Sequence, residues 1–458
     1  MRHTPLSTLR AVALATFTLL VLAPTVNAQD TELPDYVIAE YGTPPAVPTG
    51  PLSQRLQDAV RTVFVDSLER SEWTSVQAEA LEVIAASGDP RLAWIISDMM
   101  RFTWRQSFDT ALSDAATTLL GIELNTHQRW GAITDHLIAW DIPSYPGYLD
   151  TKRAIFTQFV PGWDRIFVPG DIDWRMVSWG GVRIDDRPYD QTDEICNCIP
   201  AADNPEVESA DDATWLSDDA VVFGIEINGE ARAYPRQIME VREMVNDTLG
   251  GRDLGIPYCT LCGAAQAYFT DDVPPGVARP ILRTSGLLIR SNKVMYDIET
   301  YSVFDTFLGH AVTGPLAEKG VKLEQATVIT TTWGAWKAQH PDTSVLLERY
   351  ALGRDFDFRN NRDANGPIFP VGDVDPRLSV HEDVIGVITA SGTPVAFQRS
   401  KAVAALQQGA DITFENVRLE LAAGGLRAVD RDGSDLGSHE AFWFAWSQFH
   451  PGTELWTG

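Results

Sequence analysis

Two stretches of the chain repeat one aromatic pattern, and this repetition limits the possible fold more than any other feature. Residues 333–343 read Trp-Gly-Ala-Trp-Lys-Ala-Gln-His-Pro-Asp-Thr, and residues 443–453 read Trp-Phe-Ala-Trp-Ser-Gln-Phe-His-Pro-Gly-Thr. A glycine-containing apolar run precedes each stretch, at 223–225 and at 385–387. Because the pieces follow in the same order, the sequence predicts an internal duplication.

The predicted copies lie at about 218–347 and 382–456. Each copy should form a small sheet closed by its Trp-x-x-Trp helix, with Trp336 and Trp446 buried at equivalent places. The second copy lacks most of the middle part of the first.

A clear β-hairpin begins the first copy. Asn228 and Gly229 separate two apolar-rich runs, and both residues tolerate the positive φ that a two-residue hairpin turn requires. A helix is predicted at 237–249, with Asn246 and Asp247 near its end. Strand-like runs follow at 254–258, 265–269, 281–284, 294–296 and 328–331. This mixture predicts an α+β domain with a mostly antiparallel sheet.

Before the copies, apolar residues recur at helical spacing in paired segments, which is typical of a HEAT-like repeat or of a small helical bundle. Such a helical domain offers a surface for a protein partner. The predicted organisation is a signal peptide at 1–28, a linker at 29–50, a helical domain at 51–165, an irregular connector at 166–215 and a duplicated α+β domain at 216–458.

The first residues have the character of a secretory signal. Arg2 and Arg10 precede or flank a short apolar run, and Val26 and Ala28 supply the small residues of a cleavage site. The sequence therefore predicts a secreted or periplasmic protein with no membrane span. The formal net charge of −27 makes nucleic acid an improbable partner, because phosphate backbones are repelled.

Cys259 and Cys262 stand three residues apart and are followed by Gly263, which is the pattern of a tight turn that directs two sulfurs to one point. Such a pair binds a soft metal such as copper or zinc, forms a redox-active or structural disulfide, or remains as two buried thiols. Met295 offers a further soft ligand. Cys196 and Cys198 offer either two more sulfurs or a local disulfide, and the disulfide is favoured.

Five blocks around this turn, taken together and in order, resemble the family known as domain of unknown function 3179. They are 229–235, 245–247, 258–263, 285–288 and 295–297, and the resemblance extends from about 215 to the C-terminus. The family name implies no reaction. In the family a His-Glu pair usually precedes Val-Asn-Asp, whereas this chain has Arg242 and Glu243. A metal site that used this histidine would therefore have a different ligand set here.

Several polar residues inside or beside apolar runs are candidates for acid–base or anion-binding roles near the cysteines. They are Arg232, Glu243, Asn246, Asp247 and Asp297. Each also has a structural interpretation, because Asn and Asp favour turns and a strand arginine commonly pairs with a carboxylate.

The sequence thus supports two classes of function. The first is an exported protein with a metal or thiol-redox site at Cys259 and Cys262. The second is a non-catalytic binding module in which the cysteine pair is structural.

Overall fold

The computed structural model of the protein describes residues 33–70, 73–103, 106–124, 126–191, 196–347 and 366–458. The predicted signal peptide lies outside these residues. Among the helices described, none is both long enough and apolar enough to cross a membrane.

The described helices are Asp35–Tyr41 (α1), Gln54–Arg61 (α2), Ser67–Arg70 (α3), Ser75–Ala85 (α4), Ala93–Met100 (α5), Gln106–Leu120 (α6), Arg129–Ala139 (α7), Tyr148–Phe159 (α8), Arg236–Arg242 (α9), Gly314–Glu318 (α10), Trp333–Gln339 (α11), Arg399–Gln407 (α12) and Trp443–Phe449 (α13). Thr62–Asp66 is a π-helical segment, and short 3₁₀ turns lie at Pro90–Leu92, Pro161–Arg165 and Trp174–Met176.

The described strands are Val177–Trp179 (β1), Ala202–Asp203 (β2), Val207–Ser209 (β3), Val221–Ile227 (β4), Glu230–Pro235 (β5), Met244–Leu249 (β6), Arg252–Cys259 (β7), Ala264–Ala265 (β8), Ala267–Phe269 (β9), Leu282–Ile289 (β10), Asn292–Asp297 (β11), Val303–Asp305 (β12), His310–Ala311 (β13), Gln325–Ala326 (β14), Ile329–Thr332 (β15), Ser344–Leu346 (β16), Asp383–Ile388 (β17), Pro394–Gln398 (β18), Ile412–Phe414 (β19), Val417–Ala422 (β20), Gly425–Val429 (β21), His439–Phe442 (β22) and Glu454–Trp456 (β23). Helices come first and a β-rich part follows, so the fold is α+β.

The helices α2–α8 pack around an apolar core that includes Trp94 and Trp163. One buried cation joins this core to the sheet that contains β1. The ammonium of Lys152 lies 2.7 Å from Asp98 and donates a 2.5 Å hydrogen bond to the carbonyl of Val177 in β1. The preceding segment also makes long-range contacts, since the hydroxyl of Tyr41 in α1 donates to the carbonyl of Gly372.

Two of the sheets have the same topology, and we call them the first and second Trp sheets. In the first, β4 and β5 form a hairpin, β15 pairs antiparallel with β4, and β16 pairs parallel with β5. In the second, β17, β18, β22 and β23 repeat this arrangement strand for strand.

The helix of each Trp sheet is anchored in the same way. The buried rings of Trp336 and Trp446 cover Gly224 and Gly386, where a Cβ atom would lie only 2.3 and 2.1 Å from the rings. Trp336 donates its indole N–H to the hydroxyl of Thr343 at 2.9 Å. Trp446 makes the matching 3.0 Å bond to Thr453. The repeated aromatic pattern therefore corresponds to a repeated structural unit.

Strand β3 extends the first Trp sheet by pairing antiparallel with β16, and the short strand β8 pairs antiparallel with β7. The remaining described strands form three more sheets. Their orders are β1-β10-β11-β12-β13, β14-β9-β7-β6-β2 and β19-β20-β21. Most strand pairs are antiparallel; the pairs β2–β6, β5–β16 and β18–β23 are parallel.

The hairpin prediction is confirmed, with Asn228 at φ 52° and Gly229 at φ 84° between β4 and β5. The helix predicted at 237–249 is wrong in its second half. Helix α9 ends at Arg242 because Glu243 adopts a left-handed conformation with φ 48°, and residues 244–249 continue as strand β6. Asn246 and Asp247 therefore lie in a buried strand and not at a helix end.

Candidate functional site

The cysteine turn is a short hairpin at the end of β7. Cys259 pairs with Ala264 across this hairpin, and the amide of Cys262 donates a 3.2 Å hydrogen bond to the carbonyl of Cys259. Gly263 has φ 61°, and a Cβ atom there would lie 2.9 Å from the ring of Phe442. Glycine is required for both reasons, and the turn is thereby held against the second Trp sheet.

Both thiols converge on one backbone group. The sulfur of Cys262 lies 3.6 Å from the carbonyl oxygen of Ser291 and 3.5 Å from Oδ1 of Asn292, and the sulfur of Cys259 lies 3.8 Å from the same carbonyl. The two cysteines are free thiols, and only 2% and 0% of their surfaces are exposed. Both cysteines are therefore enclosed in the protein.

Neighbouring groups give the two thiols different pKa values. Burial raises the pKa of both thiols. For Cys259, the hydrogen bond with the Cys262 thiol and the positive charge of Lys293 outweigh burial and the carboxylate of Glu243, so its pKa falls below the ordinary value. For Cys262, burial and the adjacent Cys259 raise the pKa well above the ordinary value. The pair can thus hold one thiolate next to one thiol.

Lys293 and Glu243 form an ion pair on the edge of this site. The ammonium lies 3.0 Å from the Glu243 carboxylate and also donates to the Glu243 carbonyl. The hydroxyl of Thr260, between the two cysteines, donates to the same carboxylate at 3.2 Å. Glu243 is therefore a neighbour of the cysteine pair, as the sequence predicted.

Lys293, Ser291 and Asn292 were not among the sequence candidates. Ser291 is the second residue of the two-residue turn between β10 and β11, where φ is positive at 68°. Among the residues that the structure describes, the buried hydroxyl of Ser291 and the buried amide nitrogen of Asn292 have no hydrogen-bond partner. Lysine occurs only six times in the chain, so a lysine within the strand Asn292–Asp297 was the signal that could have indicated this site.

Arg232 and Asp247 belong to a separate network. The guanidinium lies 2.6 Å from the Asp247 carboxylate, which also accepts a 2.7 Å hydrogen bond from the hydroxyl of Tyr234. Arg232 and Asp247 are 8% and 5% exposed, so this is a buried ion pair that joins β5 of the first Trp sheet to β6 of a neighbouring sheet.

Asn246 and Asp297 hold chain segments together. The side-chain amide of Asn246 exchanges two 3.0 Å hydrogen bonds with the backbone of Leu282, which joins β6 to β10. Asp297 accepts from the amides of Ile281 and Thr300. Met295 packs in an apolar cluster with Met244, Leu282 and Phe304, whereas both cysteines belong to the cluster around Phe442 and Trp446.

Cys196 and Cys198 lie at disulfide distance from each other. Their sulfurs and a carboxylate oxygen of Asp185 lie within 4.8 Å of one another, which is the spacing of a possible three-ligand metal site. These atoms already have partners, because the sulfurs bond to each other and Asp185 pairs with Arg187 at 2.7 Å. Among the described residues, Cys259 and Cys262 form no such group with a third histidine, cysteine, aspartate or glutamate.

The comparisons with known proteins identify the family. A family model described as "Protein of unknown function (DUF3179)" matches residues 196–432, which is more than half of the chain. The chain therefore belongs to this family. Neither the curated proteins nor the solved structures contain a match.

Proposed function

We propose that this protein binds one soft metal ion through Cys259 and Cys262, and that copper(I) suits the site best. The observation that carries the proposal is the pair of buried free thiols beside the ammonium of Lys293, with one thiol pKa lowered. Thiolate ligands select soft ions.

The number of ligands favours copper(I) over zinc. Structural zinc is almost always held by four protein ligands, whereas copper(I) forms stable complexes with two thiolates. In the part of the chain that the structure describes, no third ionisable ligand joins the two sulfurs within 4.8 Å. Two thiolates and a monovalent ion carry one net negative charge, which the ammonium of Lys293 would stabilise.

The sulfurs would hold the ion, and the surrounding residues would control its environment. Phe442 covers Gly263 and its amide donates a 2.8 Å hydrogen bond to the carbonyl of Cys262, so water is kept from the turn. Lys293 and Glu243 set the charge near the sulfurs. The Met295 thioether, the third ligand predicted from sequence, lies in another cluster and is not needed by this two-sulfur arrangement.

A dithiol–disulfide couple is the second candidate. The opposite pKa shifts of Cys259 and Cys262 support it, because thiol exchange needs one thiolate and one protonated partner. Burial of both sulfurs restricts such exchange to small reactants. A purely structural cysteine pair in a binding module remains the alternative from another class.

We also propose how the chain is organised and where the protein is located. The matched strand orders of the Trp sheets support an internal duplication. The apolar N-terminal segment supports export through a signal peptide at 1–28, and hence a secreted or periplasmic location. The domain boundaries at 51–165 and 216–458, and a protein partner for the helical domain, rest on the sequence pattern.

Metal analysis of the purified full-length protein tests this function. The reduced protein is loaded with copper(I) or zinc under anaerobic conditions, desalted, and analysed for bound metal per chain. We expect one copper(I) in the wild type and a sharp loss in Cys259→Ser and in Cys262→Ser, because each variant leaves one thiolate.

The double variant Cys196→Ser, Cys198→Ser is the matched control and should keep its copper. Unchanged copper in both single-cysteine variants would refute the metal site. A Cys259–Cys262 disulfide found by mass spectrometry in protein purified without reductant, together with no copper uptake, would favour the redox candidate.

A further inference from the structure

The side-chain amide of Asn292 touches the cysteine pair with one of its two polar atoms. The side chain is 0% exposed, and its Oδ1 lies 3.5 Å from the sulfur of Cys262. Its Nδ2 has no hydrogen-bond partner in the described part of the chain. We propose that Asn292 is a positioning residue of the metal site: its amide accepts from the Cys262 thiol in the ion-free protein and turns over to donate to the Cys262 sulfur when copper(I) is bound. This inference rests on the proposed function.

The present orientation of the amide suits a protonated Cys262. Two oxygens face its sulfur, the carbonyl of Ser291 at 3.6 Å and Oδ1 of Asn292 at 3.5 Å. Both oxygens are acceptors, and a thiol has a proton to donate to them. Cysteine binds a metal ion as a thiolate, so binding of the ion removes this proton. The Cys262 sulfur then needs a donor where an acceptor now faces it.

The backbone oxygen next to the sulfurs is fixed. Arg290 and Ser291 form the tight turn between β10 and β11, with φ 45° and 68°, and Ile289 pairs with Asn292 on either side of it. The carbonyl of Ser291 therefore cannot turn away from the sulfurs. Its negative partial charge favours a cation that both sulfurs hold, so this carbonyl does not have to move.

The side-chain amide of Asn292 can reverse without additional space. A half-turn about its Cβ–Cγ bond exchanges Oδ1 with Nδ2, which are nearly equal in size. This turn directs an N–H group at the Cys262 sulfur and gives Nδ2 the partner that it lacks. A hydrogen bond to a charged sulfur is stronger than one to a neutral group. Asparagine serves both states because its amide is both an acceptor and a donor.

Copper(I) affinity tests the donor. The full-length protein is titrated under anaerobic conditions against a chromophoric copper(I) chelator. We expect Asn292→Leu to bind copper(I) about tenfold to hundredfold more weakly than the wild type, because one hydrogen bond to a charged sulfur is lost. Asn292→Asp has nearly the same shape, but its carboxylate only accepts and repels the thiolates, so this variant should bind still more weakly.

Asn228→Asp is the matched control. It adds the same negative charge at the exposed hairpin turn between β4 and β5, where Asp-Gly is as suitable as Asn-Gly. Its copper(I) affinity should equal that of the wild type.

Nuclear magnetic resonance of protein labelled with ¹⁵N-asparagine detects the reversal directly. The pair of side-chain amide signals that is lost in Asn292→Asp or Asn292→Leu identifies Asn292. In the wild type, one proton of this pair should move downfield when copper(I) is added, since it gains a sulfur acceptor. An asparagine that only fills space would keep its signals in place.

X-ray absorption at the copper edge completes the test, and two sulfur ligands without oxygen are expected. A wild type that takes up no copper(I) would refute the proposed function and this inference together. Copper uptake with equal affinity in the wild type and both Asn292 variants, unmoved Asn292 signals, or an oxygen ligand on copper would overturn this inference alone.

Discussion

The two Trp sheets share their framework and differ in the residues that surround it. Both keep a glycine beneath a tryptophan ring, and both keep the bond from that indole to a threonine. In the first sheet, Arg232 and Tyr234 form a buried polar network with Asp247. The same register in the second sheet places Val395 and Phe397 at their positions.

This comparison separates structural residues from candidate functional ones. What both sheets retain, the Gly–Trp–Thr contact, is what the unit needs to fold. What only one sheet has requires another explanation: the residues of the Arg232 network in the first, and His439 in the second. Variants that exchange residues between the sheets can therefore test each assignment.

The largest effect is expected from Arg232→Val, which copies Val395 into the first sheet. The change leaves the Asp247 carboxylate buried without its cation, and the free energy of unfolding should fall by about 3–5 kcal/mol in urea denaturation. Removing the whole network in Arg232→Val, Tyr234→Phe, Asp247→Val should recover most of this loss. A triple variant that is less stable than Arg232→Val would contradict this prediction.

A somewhat smaller and equal effect is expected from Gly224→Ala and Gly386→Ala. In each case the new Cβ would lie within 2.3 Å of a tryptophan ring, and the displaced ring should cost about 3 kcal/mol of unfolding free energy. Gly131→Ala is the control, because a Cβ atom at this helical glycine would meet no described atom within 4 Å. This alanine should raise the free energy of unfolding by about 0.5–1 kcal/mol. Clearly unequal losses in the two sheets would contradict their structural equivalence.

The smallest effect concerns His439 and depends on pH. Burial lowers its pKa from 6.5 to about 3 in the folded protein. As the pH falls below 6.5, an unfolded chain takes up this proton first, so the folded state loses about 1.4 kcal/mol per pH unit until the folded ring titrates.

Between pH 7 and pH 5, the free energy of unfolding of His439→Ile should therefore rise by about 2 kcal/mol relative to that of the wild type, as measured by denaturation at both pH values. His450, whose pKa is lowered to about 4, should leave a remaining dependence of the same sign in this variant. Parallel stability curves for the wild type and His439→Ile would show that the ring is not held neutral.

Local patterns in the sequence predicted the parts of the fold that depend on neighbours along the chain. The Asn228-Gly229 turn and the Trp-x-x-Trp helices are examples, because their residue types determine the backbone within a few positions. The boundary at Glu243 was missed, because this non-glycine residue adopts a left-handed conformation that no local signal required.

The candidate site also combines features that local sequence predicts with features that depend on long-range packing. The pattern around Cys259 and Cys262 predicted their convergence and the need for Gly263. It could not predict that Lys293 would reach Glu243 from another sheet or that Phe442 would cover the turn, since both contacts depend on long-range packing. The contact between His439 and Gln325 could not be predicted either, because the two residues lie far apart in the sequence.

The contact between Phe442 and Gly263 has a consequence for biosynthesis. A ribosome makes the cysteine turn long before it makes Phe442, so the newly made chain carries two uncovered thiols until its last part has emerged. During this interval the thiols are open to metal donors, oxidants and Cys196 or Cys198. The cover that Phe442 gives to the turn therefore exists only once the chain is almost complete.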